Sequence, residues 1–209
     1  MSYCFNSKLK IQTAKFSRWS VLSLSILLAL GANRVNALPG QSPDTVVSWI
    51  NANPTLRPGI GEGLLVRKFN TPAQRFTFKA TVLPPGQVST PIDRATIRSE
   101  RISFYDMING VTPDRLKESL RIIYGLGIYQ DYTRAKLVYV YPTAATIDLA
   151  RRENRPLLAA QQGELSLGER YAYWMEVTKT NKGKAYNGEL TVFLKEDLPK
   201  LELQLRNRQ

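Results

Sequence analysis

Without a histidine anywhere in the chain, and with Cys4 as its single cysteine, the sequence cannot assemble a Ser-His-Asp or Cys-His nucleophile, a histidine zinc site or a histidine pH switch. The chemistry left to it is that of carboxylates, because an acid pair can hydrolyse glycosides without an imidazole. Glu164 and Glu169 flank an expected turn, Glu176 shares a strand face with Trp174, and Asp131 stands between Tyr129 and Tyr132. None has a spacing that identifies an acid pair. Most acids instead have bases as near neighbours, as in Arg98, Glu100 and Arg101, or Asp114, Arg115, Lys117 and Glu118. That is the pattern of surface ion pairs. No Ser-x-x-Lys follows the first 37 residues, so a Ser–Lys dyad lacks its motif. Asp148 and Glu153 come nearest to a cation loop and have two arginines between them. Gly59-Ile-Gly-Glu-Gly63 has the look of a phosphate cradle, but it follows Pro58 and precedes a strand rather than a helix, so its glycines read as turn residues. The expectation is a non-enzymatic protein with no metal and no cofactor.

Charge is the firmest anomaly. The chain has 29 Lys and Arg against 17 Asp and Glu among 209 residues. Arg151, Arg152 and Arg155 gather near one helix end, while Lys179, Lys182 and Lys184 crowd a hairpin turn. The strand leading into that turn carries Tyr171, Tyr173 and Trp174, with large side chains on both faces. One face should meet the core, and the other should be covered or functional. These six residues, Tyr171, Tyr173, Trp174, Lys179, Lys182 and Lys184, are the expected binding surface. It suits an acidic protein partner or an anionic membrane surface. Nucleic acid is not expected as a partner, because the chain is marked for export.

That mark lies in residues 1–37. Lys8, Lys10, Lys15 and Arg18 precede an apolar stretch from Trp19 to Gly31, and Val35-Asn36-Ala37 offers small residues for cleavage. The pattern predicts a signal peptide cut near Ala37. Its apolar run is shorter than the ~20 residues of a spanning helix. Cleavage removes five bases, no acids and Cys4, so the net charge falls from +12 to +7 and the exported chain has neither thiol nor disulfide. It must rest on its hydrophobic core, which a chain of this length can supply.

The elements that position these residues are legible in outline. Ser42 reads as an N-cap with Pro43 and Asp44 behind it, opening a helix that Asn53-Pro54 stops. Leu64, Leu65 and Val66 begin a strand, the chain turns across Asn70 to Ala73, and Phe76, Phe78, Ala80 and Val82 then alternate with Arg75, Thr77, Lys79 and Thr81. From Thr96 to Tyr105 the apolar parity changes, which suggests a bulge or a bend near Ser99 to Arg101. Thr112 caps a helix through Leu116, Leu120 and Ile123 that Gly125 ends. Leu137, Tyr139 and Tyr141 mark one face of a strand, and Thr143 to Glu153 reads as a helix. Glu169 to Lys179 and Glu189 to Lys195 form a hairpin around Asn181-Lys182-Gly183-Lys184. Leu198, Leu201 and Leu205 favour a terminal helix over a strand, with Asp197 as cap. Paired strands with short links predict a single α+β domain over residues 38–209, a mainly antiparallel sheet with helices packed on one face.

Four stretches carry a resemblance: residues 64–78 (Leu-Leu-Val-Arg-Lys-Phe-Asn-Thr-Pro-Ala-Gln-Arg-Phe-Thr-Phe), Tyr105 to Pro113, Glu169 to Trp174 and Leu190 to Pro199. Together they resemble a family of exported proteins of cyanobacteria. The resemblance implies a compartment, the periplasm or the thylakoid lumen, and carries over no catalytic or binding residue. The function expected is that of an accessory or binding protein, docking to a membrane-associated or acidic partner through a Tyr-, Arg- and Lys-bearing surface. A carboxylate-dependent hydrolase of cell-wall glycans and a carrier of a small apolar ligand are the alternatives.

Overall fold

Ser42 caps the first helix as its sequence dictates. Its Oγ accepts the Thr45 amide at 3.3 Å, Pro43 and Asp44 fill the first turn, and α1 runs Pro43–Ala52. The computed structural model describes residues 39–87 and 95–208; the signal-peptide expectation for residues 1–37 lies outside them. Thr112 repeats the cap for α2 (Pro113–Tyr124), accepting the Arg115 amide at 3.2 Å, and Gly125 ends that helix at φ +84°. Further helices are α3 (Leu126–Thr133), α4 (Ala144–Arg152), α5 (Pro156–Ala160) and α6 (Leu198–Arg208).

Seven strands form one sheet: β1 (Leu65–Thr71), β2 (Gln74–Thr81), β3 (Ser99–Asp106), β4 (Lys136–Tyr141), β5 (Gln161–Leu167), β6 (Ala172–Lys179) and β7 (Ala185–Phe193). Their order is β1-β2-β3-β7-β6-β5-β4, antiparallel at every junction. Two meanders, β1 to β3 and β4 to β7, therefore meet where β3 pairs with β7. This is the expected α+β architecture with an antiparallel sheet.

Residues paired across an antiparallel junction share a face, so the register sorts the sheet into two surfaces. One carries Val66, Phe78, Ile102, Leu190, Tyr173 and Met175, and α1, α2 and α3 pack on it through Val46, Ile50, Leu116, Leu120, Ile123 and Ile128. Gly188 permits this close packing: a Cβ there would stand 2.9 Å from Val111 and 3.1 Å from Leu116.

The opposite face holds a second core, in which Leu198, Leu201 and Leu205 of α6 cover Tyr139, Tyr141, Leu165, Ala172, Trp174 and Phe193. Helices thus lie on both faces, which corrects the one-face expectation. The leucine stripe of α6 needs an apolar surface, and β4 to β7 supply one on the side away from α1 to α3. Arg98 anchors the turn before α6 by donating to both oxygens of Asp197, at 2.7 and 3.0 Å. Eleven residues of helix reach only about 16 Å. The core beneath α6 includes no residue of β1, β2 or β3.

Two expectations of register change. The strand β3 pairs with β2 and β7 without a bulge; the phase change falls before it, because Ile97 precedes Ser99 in a segment that bonds to Gly40 and Gln41 and enters the same core as Ile102. An irregularity falls instead between Leu137 and Tyr139, which sends Leu137 to the face opposite Tyr139 and Tyr141.

Candidate functional site: the uncovered half of the sheet

Beyond the reach of α6, two rows of side chains cross the sheet on the same face. One row runs Phe69, Arg75, Tyr105, Asn187, Thr178 and Gln161; the next runs Arg67, Thr77, Ser103, Glu189, Glu176 and Gly163. They line an open groove of about 860 Å³. Its floor is hydroxyl, amide and carboxylate, its rim arginine, and its aromatic content Phe69 and Tyr105.

The two ends of the groove differ in charge. At the β1–β2 end Arg67 and Arg75 line the groove and Lys79 lies beside it on the same face; all three are exposed, and among the described residues no ion pair includes any of them. The Arg75 guanidinium lies 4.7 Å over the Tyr105 ring, which fixes it on the surface without neutralising it.

At the β6–β7 end Glu176 and Glu189 stand directly opposite each other. The Tyr141 hydroxyl and the Arg208 guanidinium both donate to Glu176 Oε2 at 2.5 Å, and Trp174 Nε1 donates to the Tyr141 oxygen at 2.7 Å. Tyr141 reaches Glu176 across Gly163, which pairs with both and where any side chain would collide with the tyrosine. Glu189 faces Arg101 at 3.4 Å. Desolvation pushes the Glu189 carboxyl above its ordinary range; Arg101 offsets part of that rise and Glu176 adds to it. The arrangement holds two carboxylates in place, offers hydroxyls and amides along the floor, and presents exposed arginines at the far end. Among the described residues, no three His, Cys, Asp or Glu side chains gather as a metal site.

The six residues expected from the sequence are not brought together. Tyr173 and Trp174 are 1% and 6% exposed and point to opposite faces of β6. Tyr173 donates to Asp131 at 2.6 Å, and Asp131 also accepts the amides of Glu169, Arg170 and Tyr171, tying the β5–β6 turn to α3. Trp174 lies under α6. Both are core residues, because at these two positions each side of β6 is covered by a different set of helices. Tyr171 is half-buried at the start of the strand, whereas Lys179, Lys182 and Lys184 lie at its other end, about 26 Å away along eight residues. Lys184 donates to the Ile108 carbonyl at 3.2 Å. Lys179 and Arg151 line a separate hollow of about 390 Å³ between α4, α5 and the hairpin turn, so two basic stretches far apart in sequence do become neighbours.

The groove residues Arg67, Arg75, Tyr105 and Glu189 were not singled out by sequence. One signal was present: Gly163 interrupts a strand, and glycine there marks a close approach by another group. No protein-family model, curated protein or solved structure matches the chain. No helix among the described residues is long and apolar enough to cross a membrane.

Proposed function

We propose that the protein is a non-catalytic binding protein of an exported compartment, and that it receives an acidic partner on the uncovered half of its sheet. The observation that carries this reading is the set Arg67, Arg75 and Lys79, adjacent on β1 and β2 and exposed; no ion pair among the described residues includes any of them, and Glu62, which accepts the Arg67 backbone amide at 2.9 Å, is the carboxylate near Arg67. Cations on a concave surface raise the local potential and draw in anions. Arginine and aromatic side chains together favour recognition at modest cost in rotamer freedom. Backbone amide shifts during titration with an acidic probe test the site. They should concentrate in β1, β2, β3 and β7. Shifts confined to the Asn181–Lys184 turn would move the site to the hairpin.

The Glu176–Glu189 pair favours a second reading, carboxylate-dependent hydrolysis of a glycan, because two carboxylates face each other and one is raised. Against it, one oxygen of Glu176 is taken by Tyr141 and Arg208, and Arg101 stands beside Glu189. Hydrolysis of a glycan by the wild type that is lost in both Glu176→Gln and Glu189→Gln would establish this second reading. The lining is polar and open, which does not suit a carrier of an apolar ligand.

A further inference from the structure

The groove is chemically polar from end to end, and that polarity restricts what an acidic ligand can be. A flat protein partner needs a desolvated apolar centre to anchor it. Here the only large apolar side chain offered to solvent is Phe69, 62% exposed, at the margin. A polyanion without hydroxyls laid along the groove would bring negative charge against Glu176 and Glu189, which already oppose each other, with no hydroxyl to donate to them. A neutral polar ligand would leave Arg75 without a counter-charge and Arg67 with only the distant pull of Glu62. What satisfies every part is a ligand with hydroxyls to donate to carboxylates and amides, a carboxylate for the arginines, and apolar C–H faces for an aromatic ring.

We propose that the groove binds an acidic saccharide, a short oligomer of sugar rings bearing carboxylates. Its anionic groups pair with Arg67 and Arg75, and its hydroxyls fall over Thr77, Ser103, Asn187 and the Glu176–Glu189 pair. This rests on the reading of the face as an anion-binding site, and names the class of anion. The geometry is favourable in three respects. Arginine pairs with a carboxylate through two parallel bonds, and Arg75 is already oriented by Tyr105. From β1 to β6 the groove crosses four strand spacings, about 19 Å, so several sugar rings fit rather than one. The carboxylates are held by Tyr141, Arg208 and Arg101, so they meet a hydroxyl without first reorganising.

Calorimetric titration of the full chain with three probes tests this: trigalacturonate, a neutral galactose trimer of the same linkage, and hexaglutamate. Trigalacturonate should bind, with each of the other two weaker by about tenfold or more. Asn187→Ala combined with Thr178→Ala should weaken trigalacturonate and leave any hexaglutamate binding unchanged, with an unaltered melting temperature showing that the sheet is intact. Hexaglutamate binding as tightly as trigalacturonate would overturn the saccharide inference and leave the anion-binding reading standing. Equal binding of the neutral trimer would overturn the inference by showing that the cations take no part. Binding of none of the three overturns both.

Discussion

The Tyr141 hydroxyl donates to Glu176 at 2.5 Å by passing over the bare backbone of Gly163, so one hydrogen bond spans three strands. Arg208, near the end of α6, donates to the same oxygen and lies 5.2 Å from the Tyr141 ring. The C-terminal helix and the floor of the groove are thereby joined at a single carboxylate. Where the helix ends, the groove begins.

Removing that hydroxyl should be felt as stability before it is felt as binding. Tyr141→Phe leaves the ring in the second core but deprives Glu176 and Trp174 Nε1 of a partner. The expected cost is about 1–3 kcal/mol in urea unfolding. A variant as stable as the wild type would mean that water replaces the hydroxyl without loss.

Glu100 makes folding pH-dependent. It is fully buried between Ala80 and Val192, accepts Tyr124 Oη at 2.7 Å through one oxygen, and has no hydrogen-bond partner for the other among the described residues. Desolvation raises its pKa from 4.5 to about 7, against a smaller pull downward from the Tyr124 bond. A group raised on folding contributes stability that is fully present below its unfolded pKa and lost as pH rises through the folded one. Stability should therefore decline from about pH 4.5 to beyond about pH 7, by roughly 3 kcal/mol from this residue. Unfolding measured across that range should show the decline in the wild type and a flatter profile in Glu100→Gln. Identical slopes in the two proteins would assign the pH dependence elsewhere.

Asp131 is a structural clamp, and its loss should be costly. Three backbone amides and the Tyr173 hydroxyl converge on its carboxylate. Asp131→Ala leaves those donors unsatisfied near the core, for an expected loss of about 3 kcal/mol or more. Asp131→Asn keeps acceptor capacity on one oxygen and should fall between the two. Hydrogen exchange at residues 169–171 reports the same loss locally.

The hairpin lysines offer a control. Lys179→Glu, Lys182→Glu and Lys184→Glu together should leave the melting temperature nearly unchanged, as surface substitutions do, and should leave trigalacturonate binding within about twofold of wild type. A large loss of binding would return the site to the hairpin turn.

Much of the framework could be read from particular residues. Ser42 and Thr112 announce their helices because a cap, a proline and an acid fall in order, and the alternation from Arg75 to Val82 shows one polar and one apolar side of β2. The polar side was legible as polar but not as a groove, since the groove exists only where β3 meets β7, strands some 80 residues apart whose pairing no local pattern encodes. Ile97 misled in the opposite direction: it enters the core from the segment before β3, and counting it as part of the strand suggested an irregularity that β3 does not have. For Tyr173 and Trp174 the sequence pattern leaves the second side of the strand covered or functional, and only α6, packed on that face, shows that Trp174 is covered.

Arg67, Arg75 and Lys79 carry the anion binding proposed for the uncovered half of the sheet. The affinity of the triple variant Arg67→Glu, Arg75→Glu, Lys79→Glu for trigalacturonate, measured beside the wild type over a range of salt, tests it most directly. The wild type should bind, and should weaken as salt rises, because exposed charges are screened. The variant should lose at least about tenfold in affinity while keeping its melting temperature. A correctly folded variant that binds as tightly as the wild type, with the same salt dependence, would contradict the claim.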